Sequence, residues 1–392
     1  MLVDHSLVRV DFDQGTARYR MLDTIRAIAL EKMAESGEEP EIRQRHLAAY
    51  RAMTEQAEPH LTGYDQVAWN DRLERDHDNI RNALTWGGDH NIDAALAIAA
   101  SIWRFWQIRG HLAEAGRWLE RLLAQPGNDP SIRYRALHAA GGIAYWRGDL
   151  AEAHRWYGES LQVARDGDNR RNEAQALANY AAAHALRQEL DGDEGEQVIE
   201  LLRQARSIYA NEQDTAGEAQ VAWMMGDRLL SEGRCEGLPL VEWALEQFRR
   251  LDDPWWVAWA AFVRAYGLQQ CNGALSEIAA GIAESLRFFA VVKDVSAITI
   301  HLAAIALVAF VAGEFALVAR LLGAKNALVA ASGTGLADQE SLNLPGLDEA
   351  ADRFGRAAFE AEMAAGAILT LDEAIEEASA FLASYPKRAI RE

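Results

Sequence analysis

Three kinds of residue cluster in this chain could support chemistry. Asp76-His77-Asp78 sets an imidazole between two carboxylates, the ligand types of a divalent-metal centre. On a helix, neighbours at i+1 and i+2 point apart, so these three side chains cannot converge on one ion. A solvated helix face is expected instead. The run Asp191-Gly192-Asp193-Glu194-Gly195-Glu196 has the acidity of a calcium loop but lacks the twelve-residue ligand pattern ending in Glu, and reads as a turn between repeats. The third kind is tryptophan beside arginine: Trp103-Arg104, Trp106 near Arg109, Arg117-Trp118, Trp146-Arg147 and Arg155-Trp156. Such pairs can build an aromatic and guanidinium groove for a ligand or peptide. In long helices most of them instead fill wide gaps while the arginine reaches the surface.

Catalytic motifs are missing from the sequence. It has no HExxH pair, no GxSxG nucleophile elbow and no GxxxxGK[ST] phosphate loop. The expectation is a protein without catalytic residues, metal ligands or a cofactor of its own, and not an enzyme.

Composition narrows the class. A net charge of −20 over 392 residues argues against a broad nucleic-acid-binding face and against an anionic membrane surface. Ala is abundant and Pro numbers only 8, which favours helix. The most apolar stretch, Ala297–Ala312, is interrupted by His301 and is too short for a membrane span, so it reads as a buried helix. Cys235 and Cys271 are the only cysteines; they are read as reduced thiols of a cytoplasmic protein, and no signal peptide is visible.

The elements that would position a site come from periodicity. Leu137, Ala140, Gly141, Ala144 and Tyr145 share one helical face, Gly148-Asp149 makes a turn, and Ala153, Trp156, Tyr157, Ser160, Leu161 and Ala164 share a second face. Turn glycines recur at Gly110, Gly148, Gly192, Gly233, Gly273 and Gly313, a period near 40 residues. Self-similarity of this kind marks stacked helical hairpins that curve into a superhelix. Before them, Leu7–Val10 and Arg18–Met21 alternate around Asp13-Gln14-Gly15-Thr16, a β-hairpin, and a helix runs from Asp23 or Thr24 to about Glu35. Helices are expected over Glu41–Glu58, Gln66–Trp86 and Ile92–Ile108. A loop is expected over Gly333–Asp352, then helices over Ala357–Ala367 and Leu371–Tyr385, with Thr370 and Glu373 forming a capping box and Pro386 ending the last helix.

These segments carry a family likeness. Leu2–Val8 (LVDHSLV) and Tyr19–Met33 (YRMLDTIRAIALEKM) resemble the end of the winged-helix module of bacterial STAND-class signal-transduction ATPases and LuxR-type transcriptional regulators. Arg45–Leu61, Trp69–Trp86 and Arg104–Ala124 are similar to the segments that follow in those proteins. The repeats resemble tetratricopeptide units, and Phe315–Gly333 and Leu369–Ala378 resemble the family's C-terminal end. The resemblance implies an all-α fold: a right-handed superhelix of tetratricopeptide-like hairpins behind a winged-helix remnant. Residues 1–58 would hold the remnant and linking helices, 59–332 the superhelix, and 333–392 a loop and capping helix pair.

The same resemblance implies a non-catalytic sensing and scaffold arm of an ATP-dependent transcriptional regulator, binding a peptide, protein or small inducer. ATP would belong to an upstream nucleotide-binding domain, because this sequence has no phosphate loop. The alternative is a stand-alone protein-interaction scaffold. Residues 1–58 hold eight basic and eleven acidic side chains, so direct DNA contact there is not expected.

The recognition surface is expected on the inward face of each hairpin's first helix, about three, six and ten residues before the turn glycine. That strip comprises Arg104, Gln107, His138, Tyr145, Trp223, Asp227 and Gln270, with His184 as a further member. Polar and aromatic residues stand there where a core would take aliphatics.

Overall fold

The structure, a computed structural model, describes residues 3, 5–13, 16–167, 169–185, 192–336 and 347–388. Strands β1 (Arg9–Asp13) and β2 (Thr16–Arg20) pair antiparallel, Arg9 opposite Arg20 and Val10 opposite Tyr19. Helix α1 (Asp23–Ser36) follows and ends at Gly37, whose φ of 72° is the left-handed cap that Gly adopts without a Cβ penalty. No residue of α1 is buried, and Phe12, Tyr19, Leu22 and Ile28 stand in solvent.

Next come α2 (Glu39–Ala57), α3 (Gln66–Arg75) and α4 (His77–His90). The single helix expected over Gln66–Trp86 is thus two. The chain leaves helical dihedrals at Asp76, whose carboxylate meets the hydroxyl of Tyr50 on α2 (3.4 Å) and the amide of Asn79 (3.3 Å).

Among the described residues, six two-helix hairpins then stack. They pair α5 (Ile92–Arg109) with α6 (Leu112–Leu123), α7 (Pro130–Trp146) with α8 (Leu150–Asp166), and α9 (Arg170–Ala185) with α10 (Gly192–Asn211). The second half pairs α11 (Thr215–Ser231) with α12 (Leu238–Arg250), α13 (Pro254–Gln270) with α14 (Leu275–Val292), and α15 (Val295–Val311) with α16 (Phe315–Ser332). The chain closes with α17 (Leu347–Phe354), α18 (Arg356–Ala367) and α19 (Leu371–Arg388). The fold is a helical repeat array of tetratricopeptide type.

Gly110, Gly148, Gly233 and Gly313 occupy the left-handed region, at φ between 73° and 78°. Gly192 does not make a turn: it is the first residue of α10, and Asp191 lies outside the described residues. In the fifth hairpin Asn272 takes the left-handed conformation and Gly273 follows it. A second repeat signal, unread in the sequence, is stronger. Asn91, Asp129, Asn169, Asp214, Asp253 and Asp294 each accept a backbone N–H at the start of a hairpin's first helix, spaced 38 to 45 residues apart.

Small residues set the spacing inside hairpins. A Cβ on Gly141 would lie 2.5 Å from the ring of Tyr157, and one on Gly226 would lie 2.7 Å from the Gly237 carbonyl. At the C-terminal end α16 and α18 touch backbone to backbone: a Cβ on Gly323 would sit 2.1 Å from the carbonyl oxygen of Met363. Backbone cannot swing aside as a side chain can. Gly323→Val is therefore expected to cost about 2–3 kcal/mol in denaturant titrations, by wedging α18 off α16. Gly63→Val, with open space around its Cβ, should leave the midpoint nearly unchanged.

Three expectations for the C-terminal part are revised or filled in. Thr370 and Glu373 form the capping box, Glu373 N–H to Thr370 Oγ1 at 3.3 Å and Thr370 N–H to Glu373 Oε2 at 2.8 Å. The last helix runs past Pro386 to Arg388, because proline in a final turn forfeits one backbone bond without forcing a stop. The loop expected over Gly333–Asp352 is helical from Leu347 on, and its residues 337–346 lie outside the described residues.

The cysteines are not free. Cys235 and Cys271 form a disulfide with Cα atoms 5.8 Å apart. They are 36 residues apart, close to one repeat, and each lies in the turn of its own hairpin. Stacking therefore brings them side by side, which corrects the reading as reduced thiols. Among the described residues, α16 is long and apolar enough to cross a membrane by length and composition. Its Arg320, however, pairs with Glu362 (2.7 Å) and Glu377 (3.0 Å) on α18 and α19, which fits a helix packed inside protein.

The array curls until its ends meet. Gly335 N–H donates to the Trp146 carbonyl (3.0 Å), Thr334 Oγ1 donates to the same oxygen (3.2 Å), and Trp146 packs against Trp259 at 5.8 Å. One apolar core as a result joins α2–α7 to α13–α19, and the helices between them pack around smaller cores of their own.

Candidate ligand-recognition site

The first helices of the first and last hairpins, α5 and α15, meet across the curl. Arg104 and Gln107 lie one turn apart on α5, as the strip predicts, but their surroundings differ. Gln107 is fully buried and committed. Its Nε2 donates to both carboxylate oxygens of Asp294 (3.0 and 3.2 Å), and its carbonyl accepts from Ser296 Oγ (3.1 Å). Asp294 Oδ1 also caps α15 through Ala297 N–H (3.0 Å). Gln107 is thus a bolt between the first and last hairpins and presents nothing to a ligand.

Arg104 is half-buried and lightly held. Its Nη1 reaches Gln107 Oε1 at 3.5 Å, a long bond, and among the described residues it has no ion pair. The guanidinium lies 4.0 Å from the ring centre of Trp103 and 5.5 Å from that of Trp255. Burial pulls it down to about 10, with Tyr157 and Asp294 acting in the opposite direction. Trp103 has room because Gly142 of α7 lacks a Cβ, which would otherwise lie 2.6 Å from the indole.

His138 of α7 completes the cluster. Burial, with a smaller contribution from Arg104, pulls it down to about 4, so the imidazole is neutral at pH 7. Asn179 of α9 donates to its Nδ1 (3.0 Å), which leaves the ring proton on Nε2. Trp103 stands edge-on to it at 5.6 Å and Tyr157 lies 6.1 Å away. Arg104 and His138 keep part of their surface accessible beside Trp103, and this half-open patch is the candidate recess.

The other strip residues fall elsewhere. Tyr145 is half-buried beside Trp146. His184 sits with His154 (5.3 Å) and stacks on Tyr180. On α11, Trp223 packs edge-on to Trp256 (5.4 Å) with its buried Nε1–H unbonded, and burial pushes the half-buried Asp227 up to about 6. Gln270 is exposed at the end of α13.

Comparison with known proteins gives the following. No family model matches the chain. Over 158 residues the chain is 34% identical to HTH-type transcriptional regulators of Mycobacterium bovis and Mycobacterium tuberculosis. That stretch is 37% of this chain and only 17% of the length of those relatives. Among solved structures, a Rap protein complexed with competence and sporulation factor matches with a TM-score of 0.52 at 13% identity. The match covers 90% of this chain and 98% of that one, and it is a likeness of fold.

The sequence reading pairs Trp103 with Arg104 and sets Tyr157 on a helix face, but it misses Trp255, Asn179 and Asp294 around them; of these three, Asp294 has a sequence signal, as one of the recurring helix caps. It also missed a cluster that folding assembles at the α3–α4 break: Glu74, His77 and His111 offer ligand atoms within 4.8 Å of one another. The hydrogen bonds there do not suit a metal. Trp106 Nε1–H donates to His77 Nε2 (3.1 Å), which uses that lone pair and leaves the proton on Nδ1. His111 Nε2 contacts Glu74 at 3.0 Å. On the outer side, α4 and α6 frame a groove of about 470 Å³ lined by Arg81, Glu114, Arg117, Trp118 and Arg121, where Arg81 grips Glu114 with two bonds of 2.7 and 2.6 Å.

Proposed function

We propose that this chain is a non-catalytic, partner-binding arm of a bacterial transcriptional regulator, and that the recess around Arg104 receives a peptide, protein segment or small inducer. The observation that carries the reading is the recess itself: a lightly bonded cation, a neutral imidazole and an indole wall where a repeat array would otherwise hold aliphatics. The regulator relatives and the Rap-like fold support it, the Rap protein having been solved with a bound factor. A regulator of transcription would act in the cytoplasm.

Coupling would run through curvature. A ligand that favours one closure of the array shifts the population of that state, and a domain attached to the array would read the shift. The exposed apolar face of the N-terminal unit, with Phe12 at 78% and Tyr19 at 69% accessibility, gives such a domain a surface to cover. An ATPase upstream is the finer part of the proposal. An in-frame GxxxxGK[ST] in the genomic sequence preceding Met1 supports it, and an unrelated upstream frame leaves a stand-alone interaction scaffold.

Binding is tested by random-peptide display on the immobilised chain. The double variant Trp103→Ala, Arg104→Ala should lose the enriched peptides while keeping a cooperative unfolding transition. A folded double variant that retains them at unchanged affinity overturns the reading.

A further inference from the structure

The recess has a chemical bias that its neighbours make readable. A guanidinium is a planar fork of N–H donors with no acceptor, and a half-buried one left largely unbonded loses part of what water would give it. Arg104 has one long bond to Gln107 and no carboxylate partner among the described residues. The nearest acid, Asp294, is spoken for by Gln107 Nε2 and by Ala297 N–H. Beside it His138, accepting at Nδ1 from Asn179, carries its proton on Nε2 and so adds a second donor. The apolar face open to a ligand is that of half-buried Trp103, 4.0 Å from the guanidinium carbon, while Trp255, 5.5 Å away, is buried in the core behind it. Excess donors, one full positive charge and an indole face together ask for an acceptor-only group joined to an apolar or aromatic body.

We infer that Arg104 is the anion-recognition residue of the recess, pairing with a carboxylate or phosphate of a ligand whose adjoining apolar part lies against Trp103. This rests on the recess being the binding site, as proposed above. A charge-assisted bond to guanidinium is shorter and stronger than a neutral one, and the low dielectric of the recess magnifies the difference. An isosteric neutral ligand also leaves the guanidinium uncompensated, so acid and amide should be well separated.

The test uses fluorine NMR of 4-fluorophenylacetate and of its neutral isostere 4-fluorophenylacetamide, titrated into the full chain at fixed ionic strength. The acid is expected to bind about tenfold more tightly than the amide. Arg104→Gln should bring the two affinities together, and Arg104→Lys, which keeps the charge but loses the fork, should retain part of the gap. Competition by inorganic phosphate distinguishes the sources: displacement at concentrations where chloride is inert assigns a phosphate-accepting site, and no displacement assigns a carboxylate site.

Equal affinity for acid and amide in the unaltered chain overturns the inference, as does discrimination that survives in a folded Arg104→Gln, or no binding of either probe. The comparison of two ligands on the unaltered chain decides the matter even if Arg104→Gln does not fold. Peptide enrichment that depends on Trp103 but not on ligand charge would leave the recess standing and remove only the anion.

Discussion

Replacing Trp255 by Ala is expected to lower the unfolding free energy by about 3–5 kcal/mol, the range for emptying a large buried aromatic site. Trp255 is 2% exposed and packs edge-on to Phe289 at 5.4 Å and to Phe288 at 6.4 Å. Its neighbour Trp256 is half-buried, stacked on Phe248 at 5.5 Å and edge-on to Trp223. Trp256→Ala opens onto solvent and should cost clearly less. Urea titrations of the two variants, followed by circular dichroism, make the comparison. Similar losses at both positions would mean that the core does not close over Trp255.

The second large effect is a dependence on pH. Burial pushes the Asp294 carboxyl up to about 7, against the opposing pull of Ala297 N–H, Gln107 and Arg104. In the unfolded chain an aspartate titrates near 3.9. Between those values the native state holds a proton that the unfolded state has released, so raising the pH favours unfolding. The stability tied to Asp294 is complete below about pH 4 and is lost as the pH rises through about 7; three units correspond to roughly 4 kcal/mol. Asp294→Asn keeps an acceptor for Ala297 N–H and Gln107 but cannot ionise. Between pH 5 and 8 the unaltered chain should lose stability relative to this variant, and at pH 8 the variant should be the more stable. Asp227, raised to about 6 by burial, adds a slope of the same sign in both proteins, so the difference between them isolates Asp294. Parallel stability curves for the two proteins would show that the carboxyl is not buried against α5.

Both predictions concern residues whose importance is invisible along the chain. Trp255 and Trp256 are identical and adjacent, yet one is core and the other half in solvent. Six Asx residues cap six first helices, yet only Asp294 also takes a glutamine from the other end of the array. Arg104 was reachable from its place before a turn glycine, but Gln107, one turn on, is reached by Asp294 and taken out of the recess. The solvated face expected at Asp76-His77-Asp78 fails at His77, which is buried against Trp106, and the cluster that does form draws Glu74 and His111 from neighbouring elements.

What the sequence determined by itself is everything carried by short-range physics. A 3.6-residue periodicity, left-handed glycines, helix caps and small residues at contact faces all act within a turn or two, and from them the hairpins, their stacking and the closing helix pair can be read. Tertiary structure alone decided where the curl stops. Curvature accumulates small rotations over six hairpins, so only the finished array shows that α5 meets α15, that Cys235 meets Cys271, and that Arg104 is left with donors to spare. Those outcomes depend on contacts between residues up to almost two hundred positions apart, and no local pattern encodes them.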